Sequence, residues 1–393
     1  MRVDFVTKEY PPHIYGGAGV HVTELVKALR ALIEVRVRAF GENRGEANTF
    51  GYPPPAQFLD SNPALQAMAI NLSMVTDFAG ADLVHSHTWY ANFAGFIASQ
   101  LHGIPHVVTA HSLEPLRPWK AEQLGGGYRI SSWIEQSAFE SASRIIAVSV
   151  GMKRDILRSY PSVVAERVDV IHNGIDTEKW QPTHDREILR RFEIAESKTT
   201  VTFVGRITRQ KGLHYFLRAA RSLPASVQLV ICAGAPDGAE IAEEIRNLVT
   251  TLQRERSGVI WIEEHLPQTA LAAILTQSSL FVCPSVYEPL GIVNLEAMAC
   301  AVPVLATATG GIPEVVVPGE TGWLVPVEQL QDGTGTPVDE EKFVNDWARA
   351  LNEAIESGDL ERRGVNGRER ARREFAWDAI ARQTLKTYQL ALG

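Results

Sequence analysis

Short apolar runs alternate with segments of helical period along almost the whole chain. A run of four to seven residues rich in Val, Ile, Leu and Phe is too short for a buried helix, so it predicts a strand covered on both faces. Strands and helices that alternate in this way indicate a mainly parallel sheet with helices on both sides, which is an α/β fold. The predicted strands are residues 3–7, 33–39, 83–87, 106–109, 144–149, 167–171, 200–204, 227–233, 258–262, 280–284, 303–306 and 322–326.

The alternation is interrupted at the turn-forming residues 172–176 and then starts again. This predicts two doubly wound, Rossmann-like domains that face a cleft, and 393 residues are enough for two such domains. The first domain is predicted at residues 1–175 and the second at residues 176–375. The last segment, 376–393, has apolar residues at near-helical spacing, and we expect this helix to cross back to the first domain. Other helices are predicted at residues 20–32, 63–78, 92–101, 130–141, 213–221, 240–254 and 268–277, and from residue 340 onward.

The composition narrows the classes of function. The formal net charge is −8, so nucleic-acid binding driven by bulk charge is not expected. Cys232, Cys283 and Cys300 stand on or beside apolar segments without Cys-x-x-Cys spacing, which indicates buried thiols rather than a disulfide framework or a zinc site. The N-terminus has no signal-peptide pattern, and no apolar run reaches the roughly 18 residues of a membrane span. We therefore expect a cytoplasmic protein without a membrane partner.

The segment 285–298 crosses the junction between a predicted strand and a helix. A helix N-terminus offers unpaired amide donors and the positive end of a dipole, which together favour an anion. Pro289 is tolerated in a first helical turn, and Gly291 lets a ligand approach the backbone. Glu288 lies before the helix and Glu296 about two turns along it. Two carboxylates beside an anion site suit a sugar nucleotide, although two Glu at this spacing also occur by chance.

A second glycine-rich junction, residues 16–19, joins the first predicted strand to its helix, the usual phosphate position in such a fold. It is not the dinucleotide fingerprint, because Val22 stands where the third glycine is required. The chain also has no P-loop sequence, so a hydride-transfer enzyme and a P-loop phosphotransferase are both disfavoured. A plain tight turn is the alternative for this loop.

Basic residues follow the first strand of the second half. Arg206 and Lys211 lie between Gly205 and Gly212, where a strand leads through a loop into a helix. Cations at this place can converge on a phosphate, although an exposed charge run is the alternative. No Asp-x-Asp sequence occurs, and this pair typically holds the metal-bound diphosphate in metal-dependent glycosyl transfer. We therefore expect catalysis that is independent of metal ions.

Histidines accumulate in the first half. His85 and His87 point to one face of a predicted strand, beside which His106 or His111 would fall. A metal site is disfavoured, because no acidic ligand of a hydrolytic metal site is nearby in the sequence. His111 follows a predicted strand at the cleft edge, where it would hydrogen-bond a sugar hydroxyl or serve as a residue of the core edge.

Together these motifs resemble the retaining, two-domain glycosyltransferases of the GT-B type, and the likeness covers nearly the whole chain. More narrowly, the segments 9–12, 15–22 and 87–90 resemble the actinobacterial group of glycogen synthases and α-maltose-1-phosphate synthases. Larger bacterial glycogen synthases carry Lys-x-Gly-Gly in the first loop, whereas Ile14 stands at the lysine position here. The motifs that carry the resemblance are Gly16-Gly17, Thr109-Ala110-His111-Ser112, His172-Asn173-Gly174-Ile175-Asp176, Gly205-Arg206, Lys211-Gly212, Glu288-x7-Glu296 and Gly310-Gly311-Ile312-Pro313-Glu314.

The resemblance implies a role for each matched residue. Arg206 and Lys211 would neutralise the diphosphate of the donor, and Glu288 would contact the hydroxyls of its glucose. Glu296 would bind the ribose, and His111 would meet the donor sugar near its 6-hydroxyl. The second domain would bind the nucleotide sugar and the first domain the acceptor. The implied phosphate contacts come from backbone amides at Gly16, Gly17, Leu290, Gly291 and Ile292.

The function implied is transfer of glucose, with retention, from ADP-glucose to glucose-1-phosphate, which gives α-maltose-1-phosphate. Alternatives are a glycogen synthase that elongates an α-glucan, a transferase for another nucleotide sugar, and a non-catalytic sensor of sugar nucleotides. The nucleotide sugar is a substrate, so no cofactor is expected, and a homodimer is left open. In the segment after His111 we expect residues that bind the acceptor phosphate or stack on its sugar: Arg117, Trp119, Lys120 and Arg129. A solvated surface loop is the alternative.

Overall fold

A computed structural model describes residues 1–117 and 125–393 of the chain. The chain divides into two compact units, one of residues 1–174 with 377–393 and the other of residues 175–376. Among the described helices, none is both long and apolar enough to span a bilayer.

Each unit is built on a parallel sheet, as expected for apolar runs without alternation. The seven strands of the first sheet have the order β3-β2-β1-β4-β5-β6-β7, and the six of the second sheet the order β10-β9-β8-β11-β12-β13. The strands are β1 (Arg2–Thr7), β2 (Glu34–Phe40), β3 (Thr49–Tyr52), β4 (Leu83–His87), β5 (His106–Ala110), β6 (Arg144–Ala147), β7 (Val168–Val170), β8 (Thr200–Arg206), β9 (Gln228–Gly234), β10 (Val259–Ile262), β11 (Leu280–Cys283), β12 (Val304–Thr307) and β13 (Gly322–Val325).

Helices connect the strands and cover the sheets. The helices of the described ranges are α1 (Gly17–Leu29), α2 (Pro63–Val75), α3 (Thr88–His102), α4 (Gly127–Ser141), α5 (Val150–Ser159), α6 (Arg186–Arg191), α7 (Leu213–Ala219), α8 (Ala239–Glu255), α9 (Gln268–Gln277), α10 (Ile292–Ala299), α11 (Ile312–Val315), α12 (Glu340–Glu356), α13 (Leu360–Glu374) and α14 (Trp377–Leu392).

Each unit has its own apolar core. In the first, Val3 and Phe5 of β1 pack in one cluster with Ile380 and Tyr388 of α14. In the second, Trp347 of α12 is fully buried in the cluster that contains the β8 and β11 side chains. The prediction of an α/β fold with two Rossmann-like domains is confirmed.

The differences from the sequence predictions concern short elements and helix starts. Strand β3 was missed because it is a four-residue edge strand with Gly51 inside it and Phe50 exposed. The helices α6 and α11, of six and four residues, are too short to show a helical period. Helix α1 begins at Gly17 rather than at residue 20, so the second and third glycines of the first loop belong to its first turn.

The order of the strands fixes where a ligand can bind. Successive strands are added in one direction from β1 and then in the other, so β1 and β4 are neighbours although they are not consecutive. The same reversal makes β8 and β11 neighbours in the second sheet. At such a switch point, the loops beyond the carboxyl ends of the two strands diverge and leave a crevice. Gly16, Lys211, Glu288, Leu290 and Gly291 lie on these loops, whereas Glu296 and Arg129 lie on helices and His111 and Arg117 follow β5.

Candidate functional site

In the second unit, the loops that follow β8 and β11 are held against each other. Lys211 ends a short 3₁₀ turn after β8, where its amide donates to the Thr208 hydroxyl at 3.2 Å. Gly212 then adopts a φ of +62°, and a Cβ there would lie 2.0 Å from the carbonyl oxygen of Pro284. Only glycine allows the two loops to approach so closely, because any other side chain would overlap the backbone.

This approach places a lysine on a nearly buried glutamate. The Lys211 Nζ donates to Glu288 Oε2 at 2.6 Å, and Ser285 Oγ donates to the same oxygen at 3.1 Å. The two charged side chains are 22% and 9% exposed. Burial lowers the pKa of Lys211, but the charge of Glu288 and the hydrogen bond to it raise this pKa above its usual value. Lys211 is therefore a fixed cation at neutral pH.

The backbone of Glu288 is fixed from its other side. Its carbonyl oxygen accepts from the amide of Gly311 at 3.0 Å. Gly310 has a φ of +55°, and a Cβ there would lie 1.9 Å from that same carbonyl. The Gly310-Gly311 pair of the sequence motif thus serves to seat the Glu288 loop.

Arg206 ends β8 at the same edge of the sheet. Its Nη1 donates to Asp237 Oδ1 at 2.9 Å, and its side chain is 47% exposed. Its positive charge acts against the rise in the pKa of Lys211 that Glu288 causes. The structure therefore brings Arg206, Lys211 and Glu288 to one edge, with Arg206 engaged to a carboxylate.

The anion site predicted at the start of a helix is the N-terminus of α10. Gly291, with a φ of +93°, precedes the helix, and Ile292 begins it. The first amides of a helix have no intrahelical acceptor. Here the Asn294 amide donates to the Gly291 carbonyl at 2.9 Å, whereas the amides of Leu290, Gly291 and Ile292 donate to no carbonyl within the described ranges. Glu296 lies in the second turn, where burial raises the pKa of its carboxyl to about 7, against an opposing effect of the Lys211 charge.

Sequence reasoning missed Asn294 on the same helix. Its side chain is fully buried, and both its amide nitrogen and its oxygen make no hydrogen bond within the described ranges. A buried amide without hydrogen-bond partners costs free energy, so Asn294 is a candidate ligand-binding side chain. The signal in the sequence is a single polar residue inside an otherwise apolar first turn.

In the first unit, histidines gather at the carboxyl ends of β4 and β5. His87 Nδ1 and His111 Nε2 share a hydrogen bond of 3.0 Å. His21 of α1, which sequence reasoning missed, lies with its ring 4.7 Å from that of His111. Burial lowers the pKa of His21 to about 4, and it lowers the pKa of His87 and of His111 well below the usual value. The three imidazoles are therefore neutral and can hydrogen-bond hydroxyls.

The same trio is the group in the described ranges that could hold a metal ion. One nitrogen of each of His21, His87 and His111 lies within 4.8 Å of the others. His85 lies on the face of His87, as predicted, but its nitrogens contact Tyr388 and Thr109. His106 pairs with Ser86 instead. Metal independence stays a prediction.

At the start of the glycine loop of the first unit, residues 16–19, backbone amides are hydrogen-bonded to a glutamate of the same chain. Glu9 Oε2 accepts from the amides of Tyr15 and Gly16, at 2.8 and 2.9 Å. These amides thus bind a carboxylate of the chain itself, and the next residue, Gly17, begins α1. The amides of Gly16 and Gly17 were both predicted to contact the phosphate of the nucleotide sugar. In the structure, the Gly16 amide donates to Glu9 instead.

The predicted acceptor residues are only partly within the described ranges. Arg117 donates to Ser112 Oγ at 3.0 Å and lies 3.8 Å from Glu114 Oε1. Arg129 is exposed on α4. Trp119 and Lys120 lie outside the described residues.

Comparison with known proteins assigns the chain to a family. The model of Glycosyltransferase Family 4 matches residues 15–179, and that of Glycosyl transferases group 1 matches residues 185–369. Among solved structures, the sucrose-phosphate synthase from Thermosynechococcus elongatus has a TM-score of 0.77 at 24% identity, covering 99% of this chain and 98% of that one. The catalytic domain of starch synthase IV from Arabidopsis thaliana has a TM-score of 0.78 at 17% identity, covering 100% and 99%. These two structures share the fold.

A curated relative is much more similar in sequence. The α-maltose-1-phosphate synthase of Mycolicibacterium smegmatis is 50% identical over 393 residues, which is 99% of each chain. The resemblance inferred from the motifs is thereby confirmed. The chain is a glycosyltransferase and belongs to the family of the mycobacterial α-maltose-1-phosphate synthases.

Proposed function

We propose that this protein transfers glucose from ADP-glucose to glucose-1-phosphate and forms α-maltose-1-phosphate for α-glucan synthesis. The observation that carries the proposal is 50% identity, over 99% of both chains, to an enzyme named for that product. A glycogen synthase that elongates a glucan is not favoured, because relatives at this similarity carry the other name.

The second unit binds the donor. Lys211, with Arg206, neutralises the diphosphate, and the amides of Leu290, Gly291 and Ile292 at the start of α10 donate to its oxygens. Charge on the diphosphate grows as the glycosidic bond breaks, so a fixed cation stabilises the transition state more than the ground state. The geometry that supports this role is the buried position of Lys211, whose ammonium is already oriented by Glu288.

The two glutamates divide the recognition of the donor. Oε2 of Glu288 is occupied by Lys211 and Ser285, so the other oxygen remains to accept a hydrogen bond from the transferred glucose. Glu296 accepts hydrogen bonds from the ribose hydroxyls. Asn294 contributes a side-chain amide to the same recognition of the donor, because this amide is buried and has no hydrogen-bond partner in the described ranges. His111, a neutral imidazole, hydrogen-bonds the donor glucose near its 6-hydroxyl.

Transfer proceeds with retention by attack from the face of the departing group. The 4-hydroxyl oxygen of glucose-1-phosphate forms a bond to C1 of the donor glucose while the bond from C1 to the ADP oxygen breaks. The proton of the attacking hydroxyl passes to that departing oxygen. Glu288 is not a glycosidase-type nucleophile, because its carboxylate is held by Lys211 and Ser285. In the first unit, Arg117, Trp119, Lys120 and Arg129 are the proposed acceptor residues.

A comparison of acceptors tests the proposal. Purified protein is incubated with ADP-glucose and either glucose-1-phosphate or glycogen, and release of ADP is measured with identification of the product by NMR. We expect release with glucose-1-phosphate and formation of a phosphorylated disaccharide. UDP-glucose and GDP-sugars are the donor controls. Release with glycogen alone, or with another nucleotide sugar alone, contradicts the proposal. The oligomeric state, for which a homodimer is one outcome, is measured by light scattering.

A further inference from the structure

A lysine at the end of β1 has no polar partner among the residues that the structure describes. Lys8 directly follows the strand, and its Nζ lies 3.8 Å from the centre of the Tyr90 ring. Burial lowers the pKa of Lys8, against an opposing effect of Glu9. Within the ranges that the structure describes, its ammonium makes no hydrogen bond and no ion pair. A contact with an aromatic face replaces only part of the hydration that a partly buried cation loses.

The acidic side chain whose charge acts on Lys8 is already engaged. Glu9 follows Lys8 directly, but its Oε2 accepts from the amides of Tyr15 and Gly16. The Glu9 carboxylate is therefore hydrogen-bonded to the glycine loop, and Glu9 forms no ion pair with Lys8 in the structure. This arrangement leaves a cation available at the switch point of the first sheet.

Arg117 is a second cation at this edge of the sheet; it donates to Ser112 Oγ and lies 3.8 Å from Glu114 Oε1. Burial raises the pKa of Tyr90, the charge of Arg117 lowers this pKa, and the charges of Glu114 and Glu9 raise it. Arg117 follows β5, whereas Tyr90 lies in the first turn of α3 after β4. The strands β1, β4 and β5 are adjacent and parallel, so Lys8, Tyr90 and Arg117 meet beyond their carboxyl ends. The Tyr90 hydroxyl, too, has no hydrogen-bond partner in the described part of the chain.

We propose that Lys8, Tyr90 and Arg117 form the subsite that binds the phosphate of a phosphorylated sugar acceptor. Two cations and a phenol provide hydrogen-bond donors for a phosphate monoester, two of them charged, and Glu9 accepts from the glycine loop rather than from Lys8. This inference rests on the proposed function, which already assigns the donor diphosphate to the second unit. A neutral glucan end offers no anion to these residues.

Steady-state kinetics of Lys8→Gln and Arg117→Gln provide the test. With ADP-glucose saturating, we expect the KM for glucose-1-phosphate to rise by about tenfold to a hundredfold, the effect of losing one charged hydrogen-bond donor. The KM for ADP-glucose should stay within about twofold, which separates an acceptor phosphate from the donor diphosphate. Lys8→Arg should recover most of the loss, because it keeps a cation over Tyr90. The matched control is Lys386→Gln, which removes an exposed lysine of the same unit.

Calorimetric binding of glucose-1-phosphate to the wild type and to Lys8→Gln gives a readout that does not depend on turnover. Weaker binding to Lys8→Gln but not to Lys386→Gln supports the subsite. If the wild type uses glucose-1-phosphate and Lys8→Gln behaves like Lys386→Gln, the subsite is wrong while the proposed function stands. An increase in the KM for ADP-glucose instead assigns Lys8 to the donor and overturns the proposal. If the wild type neither binds nor uses glucose-1-phosphate, both proposals fail.

Discussion

The ion pair between Lys211 and Glu288 allows the catalytic role of the lysine to be separated from its structural role. Lys211→Met keeps most of the apolar stem of the side chain and removes the ammonium, which donates to Glu288 Oε2 at 2.6 Å. The carboxylate of Glu288 stays behind, nearly buried, with Ser285 as its remaining side-chain donor. Two consequences follow, one for stability and one for turnover.

The magnitudes follow from the burial of the pair. Removal of one partner of a buried ion pair costs about 3–5 kcal/mol of stability, and the 22% exposure of Lys211 reduces this to roughly 2–3 kcal/mol. Loss of one preorganised donor to a developing anion lowers kcat by about a hundredfold to a thousandfold, or about 2.7–4 kcal/mol. The donor KM should change less, because the charge on the diphosphate is greatest in the transition state.

A double variant distinguishes the two effects. In Lys211→Met/Glu288→Gln no uncompensated charge remains, so we expect urea denaturation to show that part of the lost stability has returned. Turnover, measured as release of ADP, should stay low. Lys198→Met is the matched control, because it removes an exposed lysine of the same unit. A folded Lys211→Met variant with kcat within threefold of the wild type would refute the role of Lys211, and recovery of turnover in the double variant would show that its effect was structural.

Three further predictions concern the two glutamates and metal ions. In steady-state kinetics, Glu288→Gln should lower kcat more than it changes the donor KM, whereas Glu296→Gln should mainly raise the donor KM. The reverse pattern would mean that Glu296 contacts the transferred glucose and Glu288 the ribose. Burial raises the pKa of Glu296 from 4.5 to about 7, so the folded protein binds the proton of this carboxyl more tightly than the unfolded chain does. The protonated carboxyl therefore contributes stability that is complete below about pH 4.5 and is lost as the pH rises through 7. Roughly 3 kcal/mol should be lost in this window, and denaturation of Glu296→Gln should lack that part of the pH dependence. Activity should survive an excess of EDTA, and abolition with rescue by Mg²⁺ or Mn²⁺ contradicts metal independence.

The elements of the fold follow from local patterns. The run from Leu280 to Cys283 is completely buried, and its apolar side chains on both faces are compatible with a central parallel strand but not with an exposed one. Strand β3 shows where this reasoning fails, because an edge strand has one unpaired side and need not be apolar throughout. The start of α1 was misplaced by three residues, since glycine has a poor helix propensity and was assigned to the loop.

The site was predictable only where a motif marked it. Glu288 and Glu296 were proposed from their spacing together with the surrounding motif, and His111 from its position after a strand. His21, Asn294 and Lys8 were not found, because each stands alone among ordinary neighbours in the sequence. Their chemistry becomes visible through burial and partners, which depend on residues far away in the chain.

The sequence by itself thus determined which segments are strands and which are helices, because the period of apolar residues reports how many faces of a segment are buried. It also indicated which loops carry glycines and charges. The tertiary structure alone decided that Lys211 contacts Glu288 across a sequence separation of 77 residues, and that Lys8 lies over Tyr90. The physical reason is the order of the strands: parallel strands that are distant in the chain become neighbours, so their carboxyl ends, and the side chains that follow them, meet at one edge of the sheet.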